Sequence, residues 1–172
     1  MEIDLQPVGT IGDNILQDLK QGLQKTFGCP VKINKALSVP ASSYDSQRDQ
    51  YLSDAFIELL KGSRHGHNPV LAVTDVNLYT SGLNFVFGQA SEEEGAAVIS
   101  LNLLRQENYG LPADPQLLAE RTLKEAVHEL GHTFGMGHCA NGNCVMHFSN
   151  SLIDTDIKKA FFCGRCRPQL KL

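Results

Sequence analysis

No stretch of this chain approaches the roughly 18 consecutive apolar residues that a membrane-spanning helix needs. The amino terminus, Met1-Glu2-Ile3-Asp4, lacks the cationic region and following apolar run of an export signal. Basic residues are too few for a protein that neutralises phosphates: 15 Lys and Arg stand against 19 Asp and Glu, a formal charge of −4, and basic clustering is nearly absent outside Lys158-Lys159 and Arg165 with Arg167. Internal repeats, low-complexity tracts and charge blocks are missing as well. What remains is one globular domain, residues 1–172, with 42% hydrophobic and 20% charged residues and too little chain for two full cores. The expectation is a soluble, cytoplasmic monomer with neither nucleic acid nor membrane as a partner.

Strand and helix patterns alternate along the first hundred residues. Ile3 to Val8 reads as a strand, followed by a helix carrying Ile15, Leu16, Leu19, Leu23 and Phe27, closed by Gly28 and Pro30. Val31, Ile33 and Leu37 to Val39 read as extended. A second amphipathic stretch places Tyr51, Leu52, Ala55, Phe56, Leu59 and Leu60 on one stripe, ending at Gly62. Val70–Val73, Leu83–Phe87 and Ala96–Leu101 follow as strands. Such alternation predicts an α/β fold with a mostly parallel sheet and right-handed crossovers. Asp114 as N-cap and Pro115 at the first helical position open a long helix running to about Phe134, stopped by Gly135. Ser151 and Asp154, spaced for a capping box ahead of Ile157 to Phe162, predict one short final helix.

The chemistry gathers where the long helix ends, at His128-Glu129-Leu130-Gly131-His132. Residues four apart lie one turn apart on one helix face, so His128 and His132 can reach one ion, and Glu129 flanks that face where it can take a proton from water. Hydrolysis by zinc needs three protein ligands and one open position. Gly135 permits a sharp exit that lets His138 return as the third ligand. HExxH alone arises by chance on the order of one time in a hundred for such a chain; the added glycine and third histidine lower that to below about one in ten thousand. His65 and His67 sit in a polar, glycine- and proline-flanked loop and read as a solvated turn, and His147 receives no role.

Four of the five cysteines crowd the last fifth of the chain. Cys139 and Cys144, then Cys163 and Cys166, form a Cys-x4-Cys and Cys-x2-Cys set that suits a closed, structural, tetrahedral zinc site. Asn141-Gly142 supplies a tight turn and Gly164 a knuckle. Two disulfides are the competing arrangement, disfavoured without an export signal. Cys29, beside Pro30, is most simply a small buried apolar residue. Two Zn2+ ions are therefore expected, one catalytic and one structural. The sulfur-bound ion would pin the tail, dividing the domain into residues 1–138, with the HExxH helix, and 139–172.

Read through from His128 to His138, the sequence spells HExxHxxGxxH, with Met146 a few residues on. It resembles the metzincin clan of zinc endopeptidases, and the four cysteines make it similar to the archaemetzincins within that clan. The resemblance implies a zincin-like fold with an antiparallel edge strand along the cleft, for which Leu83–Gly88 is the best match, and a small zinc-stapled C-terminal subdomain. It also implies that Met146 forms an apolar floor beneath the ligands. Some metzincins carry a tyrosine two residues past that methionine; here the position is Phe148. Three functions stay open: a zinc peptidase with Glu129 as general base, a zinc-containing peptide-binding or regulatory protein with little turnover, and a cysteine-zinc nucleic-acid module.

Overall fold

Val70–Thr74 is buried along its whole length, and its alternate residues serve two different cores, as a strand covered on both faces must. Leu71 and Val73 join one cluster with Leu16, Leu19, Leu23, Phe27, Val127 and Leu130. Val70 and Ala72 join the other with Phe56, Ile57 and Leu60. A computed structural model describes residues 1–63 and 68–170 of the chain; His65 and His67 lie outside the described residues.

The strand at the centre is β5 of a five-stranded sheet. In chain order its strands are β1 (Ile3–Pro7), β2 (Val31–Ile33), β5 (Val70–Thr74), β8 (Gly88–Ser91) and β9 (Ala96–Ser100). They lie in the order β2-β1-β5-β9-β8. All pairs are parallel except β8 with β9, so the expected mostly parallel sheet with one antiparallel edge is what forms. Helices α1 (Asp13–Phe27) and α3 (Pro115–Thr133) cover one face and α2 (Asp54–Ser63) the other. Gly28 ends α1 in the left-handed conformation at φ 69°, where a residue without Cβ is at ease. Asp114 caps α3 by accepting from the Leu117 amide, with Pro115 behind it.

Three local expectations are corrected. Tyr51 and Leu52 belong to a strand, β4 (Gln50–Leu52), because the Tyr51 and Ser53 amides donate to Asn77 and Tyr79 carbonyls across a ladder. That ladder builds a four-stranded sheet that the apolar pattern did not announce: β3 (Tyr44–Asp45), β4, β6 (Leu78–Thr80) and β7 (Leu83–Val86). The segment Leu83–Gly88 is consequently split. Its first part is β7 of this smaller sheet, and the edge of the main sheet is taken over by β8 from Gly88, preceded by a Ser100 amide bond to the Phe87 carbonyl. The final helix, α4 (Leu152–Ile157), starts at the expected Ser151–Asp154 capping box but stops before Lys158. There Lys159 donates to the Asn143 carbonyl and Val145 to that of Phe161, pulling the chain away as an extended segment.

Candidate metal centre and active site

The last turns of α3 bring the two helical histidines together. His128 is buried and its Nδ1 lies 2.8 Å from the Val145 carbonyl; the Nδ1 of His132 lies 2.7 Å from the Met136 carbonyl. A carbonyl only accepts, so each Nδ1 carries the proton and each Nε2 presents a lone pair. These two Nε2 atoms face each other at 3.1 Å. Lone pairs so close are repulsive unless a cation sits between them, and zinc bonded to nitrogen at about 2.0–2.1 Å requires a nitrogen–nitrogen spacing of about 3.3–3.4 Å. Burial lowers the basicity of His128, His132 and His138 alike, which keeps the imidazoles in the neutral form that a metal requires.

His138 arrives by the turn after α3. Gly135 takes φ 76°, and the Gly135 and Met136 amides bond back to the His132 and Gly131 carbonyls. The ligand atoms of His128, His132 and His138 all lie within 4.8 Å of one another. Met146 is fully buried against the same end of α3. Gly131 makes this possible, since a Cβ there would stand 3.0 Å from the Met146 methyl and closer still to its sulfur. The Cys139 amide donates to the Met146 carbonyl at 2.8 Å, tying the His138 loop to the Met146 segment. His147, without a role in the sequence, braces the same loop through Nδ1 at 2.9 Å from the Cys139 carbonyl.

The Glu129 side chain packs against the edge strand and shares a cavity with His128. Gly88 lies so near that a Cβ there would stand 2.6 Å from Glu129 Cγ and 2.8 Å from Oε1. Burial raises its carboxyl to about 8, with the neighbouring Glu125 pushing the same way and Lys158 opposing. A cavity of about 240 Å3 opens beside it, bordered by Leu83–Gly88, Glu125, His128 and Phe148–Asn150. The stretch Leu83–Gly88 thus borders the cleft even though only its end joins the main sheet.

The sulfurs of Cys139, Cys144, Cys163 and Cys166 also lie within 4.8 Å of one another. All four are free thiols, as is the half-buried Cys29, so no disulfide forms among the described residues. Cys139 and Cys163 Sγ are 3.8 Å apart, the edge of a tetrahedron with zinc–sulfur bonds of about 2.3 Å. Backbone amides of Asn141 and Cys163 point at the sulfurs of Cys139 and Cys144. Amides of Cys166 and Arg165 bring the Cys163 thiol down to about 6, whereas burial pushes Cys144 and Cys166 up. Four such thiols cannot ionise together without a cation, and a divalent ion removes the conflict.

Sequence reasoning did not find the groups behind the site. Glu125, one turn before His128, accepts from Thr155 Oγ1 at 2.9 Å and pairs with the fully buried Lys158 ammonium at 3.0 Å. Arg121 holds Asp156 through two bonds of 2.7 Å and the Leu104 carbonyl at 3.0 Å. Helical spacing from His128 could have marked Glu125. Nothing local marks Lys158.

Three histidines converging at the end of a helix that packs on a buried methionine, beside a four-thiol cluster in an α/β fold, define a zinc metallopeptidase. Comparison with known proteins places it further: residues 16–172 match peptidase family M54, and the chain belongs to that family, the archaemetzincins. It is 47% identical to the archaemetzincin of Pyrococcus furiosus over 172 residues, covering 96% of this chain and 90% of that one. Among solved structures, it superimposes on a zinc-dependent peptidase from Methanocorpusculum labreanum with a TM-score of 0.92 at 31% identity, covering 98% and 100% of the two chains. The archaemetzincin of Archaeoglobus fulgidus gives 0.86 at 37% identity, covering 98% and 99%.

Proposed function

We propose that this metallopeptidase hydrolyses peptide bonds with Glu129 as general base and then general acid. In this reading His128, His132 and His138 hold a catalytic zinc, and Cys139, Cys144, Cys163 and Cys166 hold a structural one. The observation that carries it is the pair of Nε2 lone pairs facing each other at 3.1 Å, with a third imidazole in reach and a buried carboxyl next in sequence. Zinc bound there supplies a Lewis acid for the scissile carbonyl and lowers the pKa of water. Glu129, next to His128 in sequence and lining the same cavity, is suited to accept a proton from water at Oε1 or Oε2 and return it to the leaving amine. Gly88, lacking a Cβ, lets that carboxyl pack directly against β8. The outer edge of β8 offers backbone groups to an extended peptide, since among the described residues β8 pairs only with β9.

Residues 139–172 act in this reading as a subdomain that clamps the His138 loop and Met146 onto residues 1–138. No helix among the described residues is long and apolar enough to cross a membrane, and we place the enzyme in the cytoplasm as a monomer acting on peptides or proteins. Glu129→Gln is expected to abolish cleavage of an unstructured peptide library while zinc stays at about two ions per chain, the count expected for one closed and one open site. Equal cleavage by mutant and wild type would refute the role of Glu129.

A further inference from the structure

One wall of the cavity beside Glu129 is a stretch of chain with almost nothing of its own to hold it. Phe148, Ser149 and Asn150 line the cavity but belong to no helix or strand. Among the described residues their backbone amides and carbonyls make a single hydrogen bond, from the Asn150 amide to Asp154 Oδ2 at 3.1 Å. The same oxygen accepts from the Ser151 amide at 3.0 Å and from Ser151 Oγ at 2.9 Å. At the other end the chain is fixed at His147, whose amide donates to the Cys144 carbonyl. Between these two anchors the Phe148 ring meets that of His138, with 4.9 Å between centroids.

Asp154 is in turn tied to the helix that carries two of the metal ligands. It lies in the first turn of α4, a helix of six residues, too short to persist without tertiary support. That support comes from α3: Thr155 Oγ1 donates to Glu125 Oε1 at 2.9 Å, Arg121 grips Asp156, and Lys158 pairs with Glu125 at 3.0 Å. Glu125 stands one turn before His128. The spacing between the wall and α3 is therefore set by side-chain bonds through α4, with no sheet behind it. A wall left free would have to be ordered each time a substrate packs against it, and a wall held beforehand avoids that cost. The cost falls on binding, because among the described residues Asp154 bonds to neither Glu129 nor the three histidines. We propose that Asp154 is a positioning residue for the peptidase reaction, holding Phe148, Ser149 and Asn150 at the separation from α3 at which substrate binds; this rests on the peptidase reading above.

Steady-state kinetics on a peptide that the zinc-loaded wild type cleaves separates positioning from mere support of the fold. Asp154→Ala is expected to raise KM about tenfold while kcat and zinc content stay within about twofold, the pattern of lost binding. Asp154→Asn keeps an acceptor for the Asn150 amide and should bring KM back to within about threefold of wild type. Ser151→Ala removes the helix cap but leaves that bond, so it should lower the melting temperature, as Asp154→Ala does, with KM unchanged. In the wild type, with no variant needed, the Asn150 amide should exchange its hydrogen more slowly than the amides of Phe148 and Ser149. An unchanged KM in Asp154→Ala, a fall in kcat in its place, an equal rise of KM in Ser151→Ala, or equal exchange at the three amides would overturn the proposal and leave the peptidase reading intact. A zinc-loaded wild type that cleaves no peptide defeats the peptidase reading first and takes this inference with it.

Discussion

Two glycines govern how near other atoms come to the reacting centre. Gly131 admits the Met146 thioether against α3, and Gly88 admits the Glu129 side chain against the edge strand. Gly88→Ala must displace either that carboxylate or the Val98 carbonyl, 2.8 Å from the added carbon. Misplacement of a catalytic group by about 1 Å costs about 10²-fold, so turnover should fall by that order while zinc content holds, read by peptide cleavage alongside metal analysis. Glu129 also predicts a pH effect in metal-free protein. Its folded pKa of about 8 lies above the ordinary 4.5, so across that interval the folded chain keeps a proton that the unfolded chain has released. Its contribution to stability therefore declines as pH rises from 4.5 toward 8. The melting temperature of metal-free wild type should fall relative to Glu129→Gln over pH 6 to 8; parallel curves would contradict a buried, proton-retaining carboxyl. His128, Glu129, His132 and His138 were legible because spacing within one helix and one turn is local. Gly88 was not, because what makes it matter is the Glu129 side chain brought against it by the fold.

Among the elements, α3 carries most of the consequence. Its start and stop were readable from Asp114, Pro115 and Gly135, each a residue whose backbone chemistry suits an end. The smaller sheet was hidden since Tyr51 and Leu52 fit a helical stripe as well as a short strand, and only the distant partners Asn77 and Tyr79 decide between them. Along α3, Arg121, Lys124 and Glu125 bond to α4 and its exit through Thr155, Asp156 and Lys158. Lys158 and Glu125 are both buried. Removing one member of such a pair leaves a charge uncompensated and costs about 3–5 kcal/mol. Lys158→Met should lower stability by that amount in denaturant unfolding, and adding Glu125→Gln should recover much of it. If the single and double variants were equally unstable, the loss would come from packing instead of charge.

For the whole molecule, the tail of some thirty residues contributes little core of its own, chiefly Val145, Met146 and Phe162, and in the proposed reading an ion on the thiol cluster makes up for what is missing. Its ligand spacing was plain in the sequence, as was the α/β class, because both depend on order along the chain. How the tail docks was not, because that depends on the α3–α4 charge pairs and on the bonds joining Val145 to Phe161 and Asn143 to Lys159. On the proposed two-zinc reading, Cys144→Ser should release the ion held by the four sulfurs and, through the His138 loop tethered at Cys139, depress peptide cleavage as well; full activity with one ion per chain would uncouple the two sites.

The most direct measurement is anomalous diffraction at the zinc edge on crystals of protein purified without chelator. Two peaks per chain are expected, one among His128, His132 and His138 with a coordination position open to solvent, the other enclosed by Cys139, Cys144, Cys163 and Cys166. Absence of the peak among the histidines, or a protein side chain filling its fourth position, would contradict a hydrolytic zinc centre.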